Sequence, residues 1–293
     1  MASSRATTYL LFYNTLSFFL WSLLLLFLLF HPLLDLLLPL LSSSLPLSSL
    51  PSHFLAALSS TAAHALPAVS LLQLLLLLDV LHAGTGLTSG GLFPAFIQAL
   101  GRDAVWFAIV LPFAKDLART PVCYSLELSW ALAEVARFPF YIASLQQKRR
   151  RASSSTSKPS TPPPPPPTRP PSPPPDGPPD LGSLSDSTST PPSSDPSPAI
   201  PSVLLTLRYS AFIPLYPIGI ASEWTLWLLA IPLIHEARIF SLALPNRANF
   251  AFDFEAFAKG VLVVYAYFGP TMFMNMWRQR KRRLDLAEGV GRW

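Results

Sequence analysis

The amino-acid sequence predicts an all-α, polytopic transmembrane helix bundle of about six spans, and three observations point to it. Hydrophobic residues make up 51% of the 293 positions, while Asp, Glu, Lys and Arg together make up 13%; soluble domains carry about 25% charged residues. Several apolar runs reach the roughly 20 helical residues that cross a hydrocarbon core. Whole windows of these runs hold no charge, whereas a soluble helix sets an apolar stripe against a polar face. The single cysteine, Cys123, excludes an internal disulfide and a cysteine-rich metal site. The net charge of +5 is small and clustered, so it reads as membrane topology and not as a nucleic-acid surface.

The first span, Leu10–Phe30, is uncharged. It is too long for a signal-peptide core and lacks a small-residue cleavage site, so it reads as a retained anchor. A looser stretch with Pro39, Pro46 and Pro51 follows, and its Ser/Leu-rich part is expected to skim the interface. The second span covers Leu66–Leu87 and a short third covers Asp103–Ala118. The fourth, Pro121–Leu145, ends in Gln146-Gln147-Lys148-Arg149-Arg150-Arg151. The fifth starts at Val203 and is interrupted by Pro214, Pro217 and Pro232. The last, Ala256–Trp277, ends in Arg278-Gln279-Arg280-Lys281-Arg282-Arg283.

Lys and Arg next to span ends mark the cytosolic side. With six alternating crossings, both basic clusters and both termini are expected in the cytosol; Lys115 and Arg119 then fall on the luminal side, against the trend. Residues 1–151 would hold spans one to four, 202–283 spans five and six, and 284–293 a cytosolic tail. Between them, residues 152–201 are almost entirely Pro, Ser and Thr, with Pro162–Pro167 unbroken. Such a composition buries too little apolar surface to offset its ordering entropy, so this cytosolic insertion is expected to be disordered.

Chemistry must come from polar groups inside the spans, where ionisable residues normally face the protein interior or a wet cavity. In the second span Asp79, His82 and Gly86 share one helical face, and in the fourth Glu127, Glu134, Arg137 and Tyr141 do, with Glu134 and Arg137 spaced to pair. Polar glue between helices and a catalytic role are both open for these two groups. The Asp79–His82 pair would suit a proton relay or half a metal site, but no second ligand pair is evident, so no metal is assigned. The fifth span carries Arg208, Tyr209, Tyr216 and Glu223.

Within that span, Leu207-Arg208-Tyr209, Leu215-Tyr216-Pro217-Ile218-Gly219 and Ala221-Ser222-Glu223 resemble the LRY…LYPxGxxxE signature of the very-long-chain (3R)-3-hydroxyacyl-CoA dehydratases, also called protein tyrosine phosphatase-like proteins. The resemblance extends along most of the chain. Tyr13-Asn14 and Trp21, the block from Leu78-Asp79 through His82 and Gly86 to Gln98 and Arg102, and Trp130, Glu134, Arg137 and Tyr141 all match in order. So do Leu244-Pro245-Asn246, Phe252-Asp253 and Met276 through Arg280. The chain departs from the pattern in having Asp79 where the family usually has Glu, and Leu100-Gly101-Arg102 where it has Ser-Ser-Arg.

The resemblance implies a hydro-lyase of the endoplasmic reticulum membrane acting in fatty-acid elongation, with no cofactor and with other elongase-complex enzymes as partners. It also implies Tyr216 and Glu223 as the catalytic pair. Seven positions along a helix return to the same face, roughly 10 Å apart, and Pro217 and Gly219 are expected to kink the segment between them. Elimination needs a base for the C2 proton and an acid for the departing 3-hydroxyl. A phenol with pKa ~10 donates more readily than it abstracts at neutral pH. Glu223 is therefore assigned as base, and Tyr216 as acid or as donor to the thioester carbonyl, with the reverse assignment open. Arg208, Arg137 and Arg102 are candidates for holding CoA phosphates or ordering the helices, and Gly219 for supporting the pair. A cysteine phosphatase is excluded, because Cys123 has Ser129, not Arg, six residues on. A catalytically silent scaffold for elongase or signalling partners is the alternative.

Overall fold

The apolar runs fold as long helices in the computed structural model, which describes residues 2–42, 47–88, 91–156, 202–242 and 250–290. In chain order the helices are α1 (Ala2–Leu41), α2 (Leu50–Gly84), α3 (Leu92–Asp103), α4 (Ala114–Leu117), α5 (Pro121–Thr156), α6 (Ser202–Ser210), α7 (Phe212–Ala237) and α8 (Phe254–Val290). A π-helical stretch, Ala104–Val110, carries α3 on towards α4. Among the described residues there is no strand, only an isolated antiparallel bridge between Leu242 and Phe252. Four segments are long and apolar enough to cross a membrane: Arg5–Leu41, Leu50–Gly84, Val203–Ala237 and Phe254–Arg282.

The helices outrun the expected spans. α1 continues through Pro32 and Pro39, and α2 starts at Leu50 with Pro51 in its first turn, where an N–H is not needed for the ladder. The Ser/Leu-rich part expected to skim the interface lies between these two helices, and its residues 43–46 fall outside the described residues. Serines in these runs return their hydroxyls to their own helix, as Ser22 does to the Phe18 carbonyl at 2.7 Å and Ser70 to that of Leu66 at 2.7 Å. These hydroxyls are thereby not left bare in an apolar setting. The insertion lies outside the described residues except for 152–156, which extend α5; Leu244-Pro245-Asn246 also lies outside them.

α5 is the central helix, packed on α1, α2, α6 and α7, and α7 packs in turn on α8. The core between them is aromatic and aliphatic: Trp21 and Leu28 of α1, Val69 of α2, Trp106 and Ile109 of the π stretch, Leu126 and Trp130 of α5, and Leu226 and Trp227 of α7. The outer faces are apolar as well. Phe12, Phe19, Phe30, Leu34 and Leu38 of α1 all stand exposed, a surface suited to lipid rather than water. Gly219 marks a close approach of α7 to α5, for a Cβ there would lie 3.3 Å from Ser129 Oγ. Small residues at such crossings let helix backbones approach.

Candidate active site

Glu223 lies on α7 with its side chain buried among three helices. Its two oxygens are each taken by an aromatic donor: Trp130 Nε1 of α5 donates to Oε1 at 3.1 Å, and the Tyr265 hydroxyl of α8 donates to Oε2 at 2.9 Å. A buried carboxylate is tolerated only where such donors replace water. Two donors and no acceptor at the carboxylate suit its ionised form, the form that takes up a proton.

Tyr216 stands seven positions earlier on α7 and faces the same neighbour. Its hydroxyl donates to the Gly269 carbonyl of α8 at 3.2 Å, and its ring is tilted against Phe273 at 6.1 Å. α8 runs antiparallel to α7, so contacts descend in register: Tyr216 with Gly269, Glu223 with Tyr265, Trp224 Nε1 with the Leu262 carbonyl at 3.3 Å, and His235 with Glu255 at 2.8 Å. Gly269 and Tyr265 are one helical turn apart on α8, which puts Tyr265 alongside the stretch between the two expected catalytic side chains. α7 is unbroken across Pro217 and Gly219; the interruption falls at Ala211, between α6 and α7. The expected kink between the pair therefore does not interrupt the helix.

A run of charges leads to this carboxylate from the other side of the bundle. Arg137 of α5 donates to Asp79 of α2 at 3.1 Å and pairs with Glu134 at 2.7 Å. Glu134 also accepts from Arg102 at the end of α3. The Arg102 guanidinium lies 4.6 Å from the Trp130 ring centroid and 5.7 Å from that of Trp21, within cation–π range. Trp130 in turn reaches Glu223. Two cations and two anions alternate, so this buried network carries no net charge, the condition under which ionised groups persist at membrane depth.

The expected site residues divide accordingly. Tyr216, Gly219 and Glu223 lie on the α7 face that meets α5 and α8. Arg102 and Arg137 are not at a helix mouth but in the interior ion network, and both are committed to Glu134. Arg208, at the end of α6, stacks over Phe140 at 4.3 Å and Tyr141 at 4.7 Å, in the middle of α5. There Arg280 Nε also donates to Ser210 Oγ at 3.1 Å, bringing a second cation to that end.

Glu134 and Arg137 pair as their spacing predicts. Glu127 does not join them; it is fully buried, with the Cys123 thiol 3.8 Å away. Gly86 is not on the Asp79–His82 face, because α2 ends at Gly84 and Gly86 adopts φ +71° in the following turn, a conformation glycine takes without steric cost. His82 Nε2 meets the Tyr9 hydroxyl at 3.0 Å and its ring packs edge-on against Tyr13. Among the described residues no three His, Cys, Asp or Glu side chains converge as a metal would require. Sequence reasoning missed Tyr265 and the role of Trp130. A tyrosine inside an apolar span does need a partner, but Tyr265 and Tyr267 lie two apart in the same span, and nothing in the pattern selects between them.

Comparison with known proteins places this geometry. The family model described as "Protein tyrosine phosphatase-like protein, PTPLA" matches residues 73–155 and 196–286, more than half of the chain. The unmatched interval between them coincides with the Pro/Ser/Thr-rich insertion. The very-long-chain (3R)-3-hydroxyacyl-CoA dehydratase of Danio rerio is 23% identical over 211 residues, 72% of this chain and 44% of that protein. Dehydratase 2 of Mus musculus is 22% identical over 212 residues, 72% of this chain and 63% of its own length. The dehydratase PASTICCINO 2 of Arabidopsis thaliana is 46% identical over 88 residues, 30% of this chain and 40% of that protein. The chain thus spans about half the length of the curated relatives it matches. No solved structure matches it.

Proposed function

Because the chain belongs to the protein tyrosine phosphatase-like (PTPLA) family, we propose that it is a very-long-chain (3R)-3-hydroxyacyl-CoA dehydratase. The reaction removes water from 3-hydroxyacyl-CoA to give trans-2-enoyl-CoA, the third step of the fatty-acid elongation cycle. The observation that carries the assignment, beside the relatives' names, is the buried Glu223 carboxylate held by two donors on the helix face that also bears Tyr216.

In the step proposed, Glu223 takes the C2 proton, the electron pair of that bond forms the C2–C3 double bond, and the C3–O bond breaks. Tyr216 exchanges its bond to the Gly269 carbonyl for one to the 3-hydroxyl and protonates the oxygen as it leaves as water. No electrons are transferred to a second molecule, so the chemistry calls only on proton-handling side chains. Arg102, Arg137 and Glu134 hold Trp130, and through it Glu223. Arg208, stacked on Phe140 and Tyr141, is the better candidate for CoA phosphates, with Arg280 close by.

The six crossings are assigned to α1, α2, α3 with the π stretch and α4, α5, α6 with α7, and α8. α5 is included despite Glu127, Glu134 and Arg137, because the last two are paired within the bundle. The basic clusters that follow spans four and six favour cytosolic termini in the endoplasmic reticulum membrane, where other elongase-complex enzymes would be neighbours.

The test is turnover of a long-chain (3R)-3-hydroxyacyl-CoA by the full chain purified into lipid nanodiscs, followed as enoyl-CoA formed. Steady product formation that disappears in Glu223→Gln is expected. An intact, lipid-embedded protein without turnover on any acyl length would remove the enzyme assignment and leave the scaffold.

A further inference from the structure

We infer that Tyr265 is the positioning residue of the catalytic carboxylate: its hydroxyl, 2.9 Å from Glu223 Oε2, fixes the rotamer of Glu223 and holds it ready to take up a proton. The inference rests on the dehydratase reading of Glu223 and adds a residue from a third helix to it.

The geometry is specific. A glutamate on a helix has three side-chain torsions, and an unrestrained carboxylate would sample several of their combinations. Trp130 alone would restrain the carboxylate through one oxygen only. Adding Tyr265 at Oε2 ties both oxygens to rigid aromatic arms that come from opposite sides, α5 and α8. Each arm is itself held. Trp130 is buried beneath the Arg102 guanidinium, and a Cβ built on Gly101 of α3 would come within 3.9 Å of the Tyr265 hydroxyl. The hydroxyl therefore lies where α3, α7 and α8 meet.

A donor to a carboxylate favours its ionised form. Removing it makes that form harder to reach, so ionisation of the base then requires a higher pH. Tyr265 keeps its own proton in this role and does not act on the substrate; it acts through Glu223. Tyr216 does not supply the same restraint, since its hydroxyl is directed to the Gly269 carbonyl.

Tyr265→Phe keeps the ring and deletes the hydroxyl. A hydrogen bond to a charged group is worth enough to slow turnover by about 10- to 100-fold. In nanodiscs we expect kcat to fall by that factor with KM little changed. The acid limb of the kcat/KM profile should move to higher pH, a change that a packing defect would not produce. Wild-type kcat with an unmoved profile would overturn the inference. Glu223→Gln, measured alongside, keeps the two claims apart. If it stays active, the catalytic carboxylate is wrong; if it is inactive while Tyr265→Phe is normal, only the positioning role is wrong. Should Tyr265→Phe fail to accumulate, 3-fluorotyrosine at position 265 preserves the shape and strengthens the donor. The acid limb should then move to lower pH, and an unmoved limb would be equally decisive against the role.

Discussion

At the scale of single residues, the proposed chemistry rests on a carboxylate and a phenol whose surroundings differ. Glu223 is enclosed and doubly hydrogen-bonded, whereas Tyr216 is half-buried with one exchangeable bond to a backbone carbonyl. Glu223→Gln and Tyr216→Phe keep shape and remove proton transfer, so each should lower kcat by about 10²- to 10⁴-fold while the protein remains folded in the membrane. Near-normal turnover in either variant would remove that residue from the mechanism. Trp130→Phe makes a separate test. It deletes the donor to Oε1 and leaves a ring under Arg102, so a loss of roughly 10-fold or more is expected, with the Arg102–Glu134 pair intact. The shared α7 face of Tyr216 and Glu223 was legible in the sequence because their motif is local to one helix. Tyr265 was not, because its importance comes from the antiparallel register of α8 against α7, and no local pattern states that register. The partner of Arg102 and the second partner of Arg137 were obscured for a similar reason: Glu134 lies 32 positions from Arg102 and Asp79 lies 58 from Arg137.

At the scale of elements, four long apolar helices followed from hydropathy, but helix ends did not. Proline was read as an interruption at Pro39 and Pro51, yet α1 continues through the first and α2 begins at the second. In an apolar run neighbouring turns keep the helix going, and a proline in a first turn removes no ladder bond. The α5–α7 crossing gives the prediction at this scale. Gly219→Val would drive branched carbons into Ser129, whose Oγ would already be 3.3 Å from a bare Cβ. Overpacking of this kind costs about 1–3 kcal/mol and would displace Glu223 from Trp130, so both thermal stability in detergent and turnover should fall. Ser129→Ala in the same chain should recover part of each. Gly219→Ala should be close to neutral in stability, because the helix-propensity gain of about 1 kcal/mol offsets a contact that a few tenths of an ångström relieves. If Gly219→Val is as stable and active as the parent, the close approach at this crossing does not support the site.

At the scale of the whole molecule, the open question is which side of the membrane the site is reached from. Deleting residues 160–195, within the interval unmatched by the family model, should leave turnover within a few-fold if that interval is an insertion into a complete catalytic unit. Orientation requires a different measurement. Leu92–Leu117, with its charged Arg102, Asp103, Lys115 and Asp116, is, like α5, absent from the four hydropathy-defined spans. Its length, at most ~39 Å at about 1.5 Å per residue, nevertheless suffices for a ~30 Å core, and Arg102 is neutralised by Glu134 inside the bundle. If it crosses, Arg119 emerges opposite the basic end of α5. In a Cys123→Ser background, single cysteines at Ser153 and Gly289 should then react with an impermeant thiol reagent added outside sealed microsomes, and one at Arg119 only after the membrane is breached. Labelling of Arg119→Cys from outside would mean that α3 and α4 re-enter without crossing. The cytosolic approach of CoA past Arg208 would then have to be redrawn, because the sidedness of α5 and of every later helix would invert relative to the N-terminus.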